Sequence, residues 1–160
     1  MNYERLVLSP DAEGVDIVDR TFSKRIKGLY CDGTVALNDK LSSIEKTCVL
    51  AEELGHHHTT AGDIIDLTDA ANRKQEHKAR LWAYNKLIGL NGIVSAYKAG
   101  CRSAYDIAMH LDVTEEFLQE ALSCYRQKYG VCTRVDNYVI YFEPSIGIFE
   151  QTGVLSKNFF

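Results

Sequence analysis

The sequence predicts an α+β protein in which a small, mostly antiparallel sheet packs on helices and is followed by a helix-turn-helix-like helical segment. Three observations carry this. Asp32-Gly33 sits between two β-prone runs, residues 43–58 and 72–90 place apolar side chains at helical spacing, and Tyr138-Val139-Ile140-Tyr141-Phe142 returns to strand character.

At 160 residues the chain fits one domain with a small appendage, divided here as 1–130 and a C-terminal strand and tail, 131–160. Its 46% apolar and 25% charged residues are those of an ordinary globular protein. A net charge of −4 and a pI near 5.7 give no global reason to bind nucleic acid or an anionic membrane. The basic patches are short: Lys24-Arg25-Ile26-Lys27 and Arg73-Lys74. Five cysteines, Cys31, Cys48, Cys101, Cys124 and Cys132, are odd in number and never form C-x-x-C, which argues for reduced thiols, mostly in the core, of a cytoplasmic protein. The N-terminus lacks a signal-peptide apolar region, and no apolar run approaches the roughly 18 residues that span a bilayer.

Residues 1–14 read as a short helix or irregular lead-in, closed by Ser9-Pro10 and Glu13-Gly14; Val15-Asp16-Ile17-Val18 then alternates as a half-buried strand does. The segments 25–31 and 34–38 flank Asp32-Gly33 as a hairpin. Ser42-x-x-Glu45 has the form of a capping box and starts a helix that runs to about His58, where Thr59-Thr60-Ala61-Gly62-Asp63 ends it. A loop with the apolar insert Ile64-Ile65 leads to the helix of residues 72–90, which Gly89 and Gly92 break before a further helix over 93–99. Residues 103–122, with Thr114 as an N-cap, have the rhythm of a helix-turn-helix. Its second helix opens with Glu115, Glu116 and Glu120, which would repel phosphates, so it is read as a packing or protein-contact unit rather than a reader of DNA. Pro144 and Gly147 mark a turn, and the segment to Phe160 reads as a loosely held tail whose Phe149, Phe159 and Phe160 pack on this domain or a partner.

The chemistry concentrates in Cys48-Val49-Leu50-Ala51-Glu52-Glu53-Leu54-Gly55-His56-His57-His58. At about 100° per residue, Val49, Glu52, Glu53 and His56 share one arc of the helix, opposite Ile44, Cys48, Ala51, Leu54 and Gly55. Charged residues opposite an apolar stripe are ordinarily a solvated face. A second use is metal chemistry, because ligands four residues apart on a helix point the same way, as in H-E-x-x-H. Here Glu52 holds the first ligand position, Glu53 the position of the base and His56 the second ligand position. Two helices joined by about a dozen residues can lie antiparallel, which would return Glu76 toward His56 and complete a Glu52, His56, Glu76 set. Competing roles are as definite: His57 and His58 as helix-end residues satisfying terminal carbonyls, His110 as structural, Trp82 and Tyr84 as core and surface, and Arg80 as an i, i+4 partner of Glu76.

The run Val49 to His56, followed some twenty residues later by Glu76-His77-Lys78-Ala79-Arg80-Leu81-Trp82-Ala83, resembles the ImmA/IrrE family of phage and mobile-element metallo-endopeptidases. The family pattern reads H-E-L-G-H, then a downstream Glu ahead of a small-x-x-aromatic-Ala helix. The resemblance extends over about residues 15–130 and implies a zincin-like fold and a zinc-dependent endopeptidase that cleaves a helix-turn-helix repressor. In that scheme Glu53 activates the zinc-bound water, and His56, Glu76 and Glu52 hold the metal. Two departures stand out: Glu52 replaces a neutral imidazole by an anion, and Lys78 stands where family members often carry the downstream Glu, so that His57, His58 or His77 are alternative ligands. A different class of function keeps the same fold without catalysis, a regulator that binds a repressor or other protein through the helix-turn-helix segment and tail. A DNA-binding regulator is the third.

Overall fold

Asp32 and Gly33 take positive φ angles of 45° and 78°, the left-handed pair a two-residue hairpin turn requires. They join β2 (Gly28–Cys31) to β3 (Thr34–Asn38) with Cys31 opposite Thr34. On the other side of β3, β1 (Asp16–Arg20) pairs in parallel, Asp16 opposite Thr34, to give the order β1-β3-β2. This sheet is therefore mixed. Alternation in residues 15–18 marks a strand but says nothing of its partner's direction. The computed structural model describes residues 1–59 and 69–152, so the expected Ile64-Ile65 loop and the Phe159-Phe160 tail end lie outside the described residues.

Val35 and Leu37 of β3 are fully buried against the helical layer. At the strand's end the Asn38 amide donates to the carbonyls of Ile26 (2.9 Å) and Ser23 (3.2 Å), and its Oδ1 accepts from the Lys40 N–H (3.1 Å). These bonds satisfy a buried amide and fix the course of residues 23–27. A short N-terminal helix, α1 (Tyr3–Val7), adds fully buried Leu6 to the same core.

Helix α2 (Ser43–Thr59) begins with both halves of the capping box: Ser42 N–H donates to Glu45 Oε2 at 2.8 Å and Glu45 N–H to Ser42 Oγ at 3.3 Å. Leu50, Ala51 and Leu54 on its inner face are fully buried. Helix α3 (Asp69–Leu87) crosses it and is followed by α4 (Gly89–Lys98), the break falling at Gly89 with φ +61°. Gly92 lies within α4, where a Cβ would meet Leu111 at 3.3 Å. It is a packing position and not the second breaker that its glycine suggests.

The helix-turn-helix rhythm becomes α5 (Ala104–Leu111) and α6 (Glu115–Tyr129). Ser103 and Asp106 form a second capping box, and Thr114 Oγ1 accepts from the Phe117 N–H at 3.1 Å. Beyond α6, β4 (Cys132–Val135), β5 (Tyr138–Tyr141) and β6 (Gly147–Glu150) make an antiparallel sheet in that order. Ile140 and Phe142 join the helical core, and residues 147–150, expected in a loose tail, are a paired edge strand. Only Cys48 and Cys124 of the five cysteines are buried; Cys31 and Cys132 are exposed on strands and Cys101 is half-buried. Among the described residues no helix is long and apolar enough to cross a membrane.

Candidate active site

The site is built where α2 and α3 cross. Gly55 lies directly on the backbone of Ala79: a Cβ on Gly55 would overlap the Ala79 carbonyl, with the carbonyl carbon at 2.9 Å. Such close approach requires a residue without a side chain. It places the next residue of α2, His56, beside Glu76, one turn before Ala79 on α3. His56 Nε2 and Glu76 Oε2 are 3.2 Å apart. The other oxygen of the same carboxylate, Oε1, accepts from Arg80 Nε at 2.8 Å. Glu76 thus links an imidazole to a guanidinium, and the i, i+4 pairing expected of Arg80 coexists with the contact to His56.

Glu52 and Glu53 are half-buried and not on a solvated face. Burial pushes the Glu52 carboxyl up to about 7, with Glu120 and Glu76 adding to the rise and Arg80 opposing it. Glu53 also rises to about 7, first through burial and then through the charges of Glu52 and Glu76, while a hydrogen bond from the Tyr30 backbone holds it back. Gly28 of β2 makes this roof possible, since a Cβ there would fall 2.6 Å from Val49 Cγ1 and 3.4 Å from Glu53 Cγ. The shared arc of α2 therefore divides: Glu53 turns to β2, and Glu52 faces a cavity of about 280 Å³ lined also by Lys27, Arg80, Phe117 and Glu120. The far wall is the first two turns of α6, where Glu116 lies 3.8 Å from Lys27 Nζ and Glu120 accepts from the Tyr84 hydroxyl at 3.2 Å.

Three of the remaining histidines have partners elsewhere in the fold. His57 Nδ1 pairs with the Tyr30 hydroxyl at 2.8 Å, and His58 Nε2 lies 2.7 Å from the Asp11 carbonyl and stacks on Trp82 with centroids 4.9 Å apart. They tie the end of α2 to β2, to the N-terminal turn and to α3, where the sequence had suggested caps on the helix's own carbonyls. His77 is exposed on α3, and His110 pairs with Ser95 Oγ at 3.1 Å. Sequence reasoning missed Tyr30, Glu120 and the part played by Gly55. Of these only Gly55 left a signal, a glycine inside a helix next to a candidate ligand.

Do these residues fit the zinc ion that the motif implies? Donors of a tetrahedral zinc site, each about 2.0–2.2 Å from the metal, lie roughly 3.3–3.6 Å from one another. The 3.2 Å between His56 and Glu76 is close to that spacing, and the chemistry of an imidazole with a carboxylate suits zinc. Three carboxylates, Glu52, Glu53 and Glu76, act on one another here with Arg80 as the near cation, a field that a divalent ion would neutralise. The pair fits. The full set is not gathered: among the described residues no three His, Cys, Asp or Glu side chains stand together as a metal cluster, Glu52 facing the cavity and Arg80 instead.

No curated protein and no solved structure matches the chain. A family model does, over residues 6–123, which takes in every strand and helix of the site and extends into α6. On that match the chain belongs to the peptidase M78 family, described as the IrrE N-terminal-like domain.

Proposed function

We propose that this metallopeptidase-family chain is a zinc-dependent endopeptidase whose substrate is a protein, a helix-turn-helix repressor being the class that the ImmA/IrrE resemblance implies. The observation that carries the reading is the 3.2 Å approach of His56 to Glu76 from two separate helices, at nearly the spacing of two ligands on one ion. His56 and Glu76 would hold the metal; Glu52, the third ligand that the motif implies, faces the neighbouring cavity and would have to turn from Arg80 to join them. A zinc ion held there supplies Lewis acidity and a water of lowered pKa.

The chain's own groups do the rest. Glu53, with its carboxyl near 7, is poised to take a proton from the attacking water and return it to the leaving amine as the C–N bond breaks. β2 is an edge strand, and Glu53 lies against it beside Gly28, so an extended peptide laid along this edge would bring its carbonyl to the catalytic carboxylate. The half-burial of Glu52 and Glu53 keeps bulk water from competing for the same proton.

The rival reading, a non-catalytic regulator with the same fold, draws its support from Arg80, which holds Glu76 by the oxygen that His56 leaves. Metal content and one substitution separate the two. The purified protein is expected to carry stoichiometric zinc, and Glu53→Gln to lower repressor cleavage by about 10²–10⁴-fold while the metal stays bound. Absence of zinc together with an unchanged biological effect of Glu53→Gln ends the endopeptidase reading.

A further inference from the structure

We propose that Arg80 is the resident cation of this site, holding Glu76 and balancing Glu52 in the metal-free protein, so that its positive charge opposes metal binding. The inference rests on the reading of His56 and Glu76 as metal ligands.

Arg80 differs from an ordinary surface partner in what its carboxylate touches. An exposed i, i+4 ion pair joins two side chains that have no other partner, and contributes little. Glu76 instead divides its two oxygens, Oε2 to His56 and Oε1 to Arg80 Nε at 2.8 Å. The same guanidinium lines the cavity that Glu52 faces. Lys27, the other cation lining that cavity, is engaged at its far wall by Glu116. Arg80 therefore sits where a metal ion would exert its charge, on two of the three proposed ligands. There is a reason of composition too. An H-E-x-x-H site presents a neutral imidazole where this chain has Glu52. The extra negative charge needs an offset when the site is empty, and a fixed guanidinium supplies one without proton loss.

Arg80 could instead assist the metal by orienting Glu76, as carboxylate partners in the second layer of metal sites do. The two roles predict opposite signs. Arg80→Gln keeps an amide donor for Glu76 and removes the charge; Arg80→Lys keeps the charge. Zinc chloride titrated into the chelator-treated protein, followed by calorimetry, and cobalt(II) followed by its visible absorption, give the affinity without any assay of activity. A resident cation predicts at least tenfold tighter binding by Arg80→Gln, affinity close to wild type for Arg80→Lys, and a lower melting temperature of metal-free Arg80→Gln. Equal or weaker binding by Arg80→Gln overturns the inference while leaving the zinc reading in place. Failure of wild type and Arg80→Gln alike to bind either metal overturns both. Arg80→Met, which also removes the charge, is read in its place if Arg80→Gln does not melt cooperatively.

Discussion

Two helix pairs in this protein close by opposite means. α5 and α6 meet through bulk, with Ile107, Leu111, Phe117 and Leu118 all buried in the common core. α2 and α3 meet through the lack of it, Gly55 against the Ala79 backbone. When side chains fill the contact, the helix axes stand apart and polar residues remain outside. When the contact is bare backbone, the polar residues on either side of it reach across, and His56 finds Glu76. The first arrangement is stability; the second exchanges some packing for a polar contact between the helices.

The sharpest way to break that contrast is to put one methyl group into the bare contact and to take several out of the filled one. Gly55→Ala gains helix propensity of about 1 kcal/mol, but the new Cβ has to displace backbone at a cost of about 1–3 kcal/mol, so a net loss of up to about 2 kcal/mol is expected. Zinc affinity should fall at least tenfold as His56 and Glu76 separate. Leu118→Ala, at a fully buried position, should cost about 2–5 kcal/mol in urea unfolding yet leave zinc affinity of the folded protein unchanged. If Gly55→Ala binds zinc as wild type does, the close crossing is not what assembles the site.

Local signals were legible in the chain, and crossings were not. The Ser42 and Glu45 capping box, the Asp32-Gly33 turn and the Thr114 cap all stand where the sequence placed them, because each is settled within four residues. The α+β class followed from the same local periods. Glu52, Glu53, His56 and Glu76 could be nominated from spacing, and the structure brings His56 to Glu76. What could not be read is which way each side chain of the α2 arc turns, since Glu53 is drawn to β2 by the space at Gly28 and Glu52 to Arg80. The parallel pairing of β1, the strand at 147–150 and the bonds of His57 and His58 to Tyr30 and Asp11 depend likewise on residues distant in sequence.

A smaller effect concerns pH. Glu52 and Glu53 stand near 7 in the folded protein against an ordinary 4.5, so the folded state holds protons that the unfolded chain has already released. By linkage, the metal-free protein is most stable below about pH 4.5 as far as these groups are concerned, and loses that contribution as pH rises to 7. Both side chains are only half-buried, which brings the loss to about 1–2 kcal/mol. Melting of chelator-treated protein at pH 5 and pH 8 checks the sign. The double change Glu52→Gln, Glu53→Gln should flatten the slope.

The smallest effect probes the seam between the two helix pairs. Thr114 caps α6 through its bond from the Phe117 N–H, and it lines the same cavity wall as Cys48 of α2. Thr114→Ala removes the cap at a cost of about 1 kcal/mol, and Thr114→Ser should restore most of it. Because α6 borders the cavity and touches neither His56 nor Glu76 in any described contact, zinc affinity is expected to stay within about threefold of wild type, well under the roughly 1.4 kcal/mol that a tenfold change represents. A larger shift would mean that the filled contact and the bare one are coupled, with the first turn of α6 acting as part of the machinery that holds Glu52 in place.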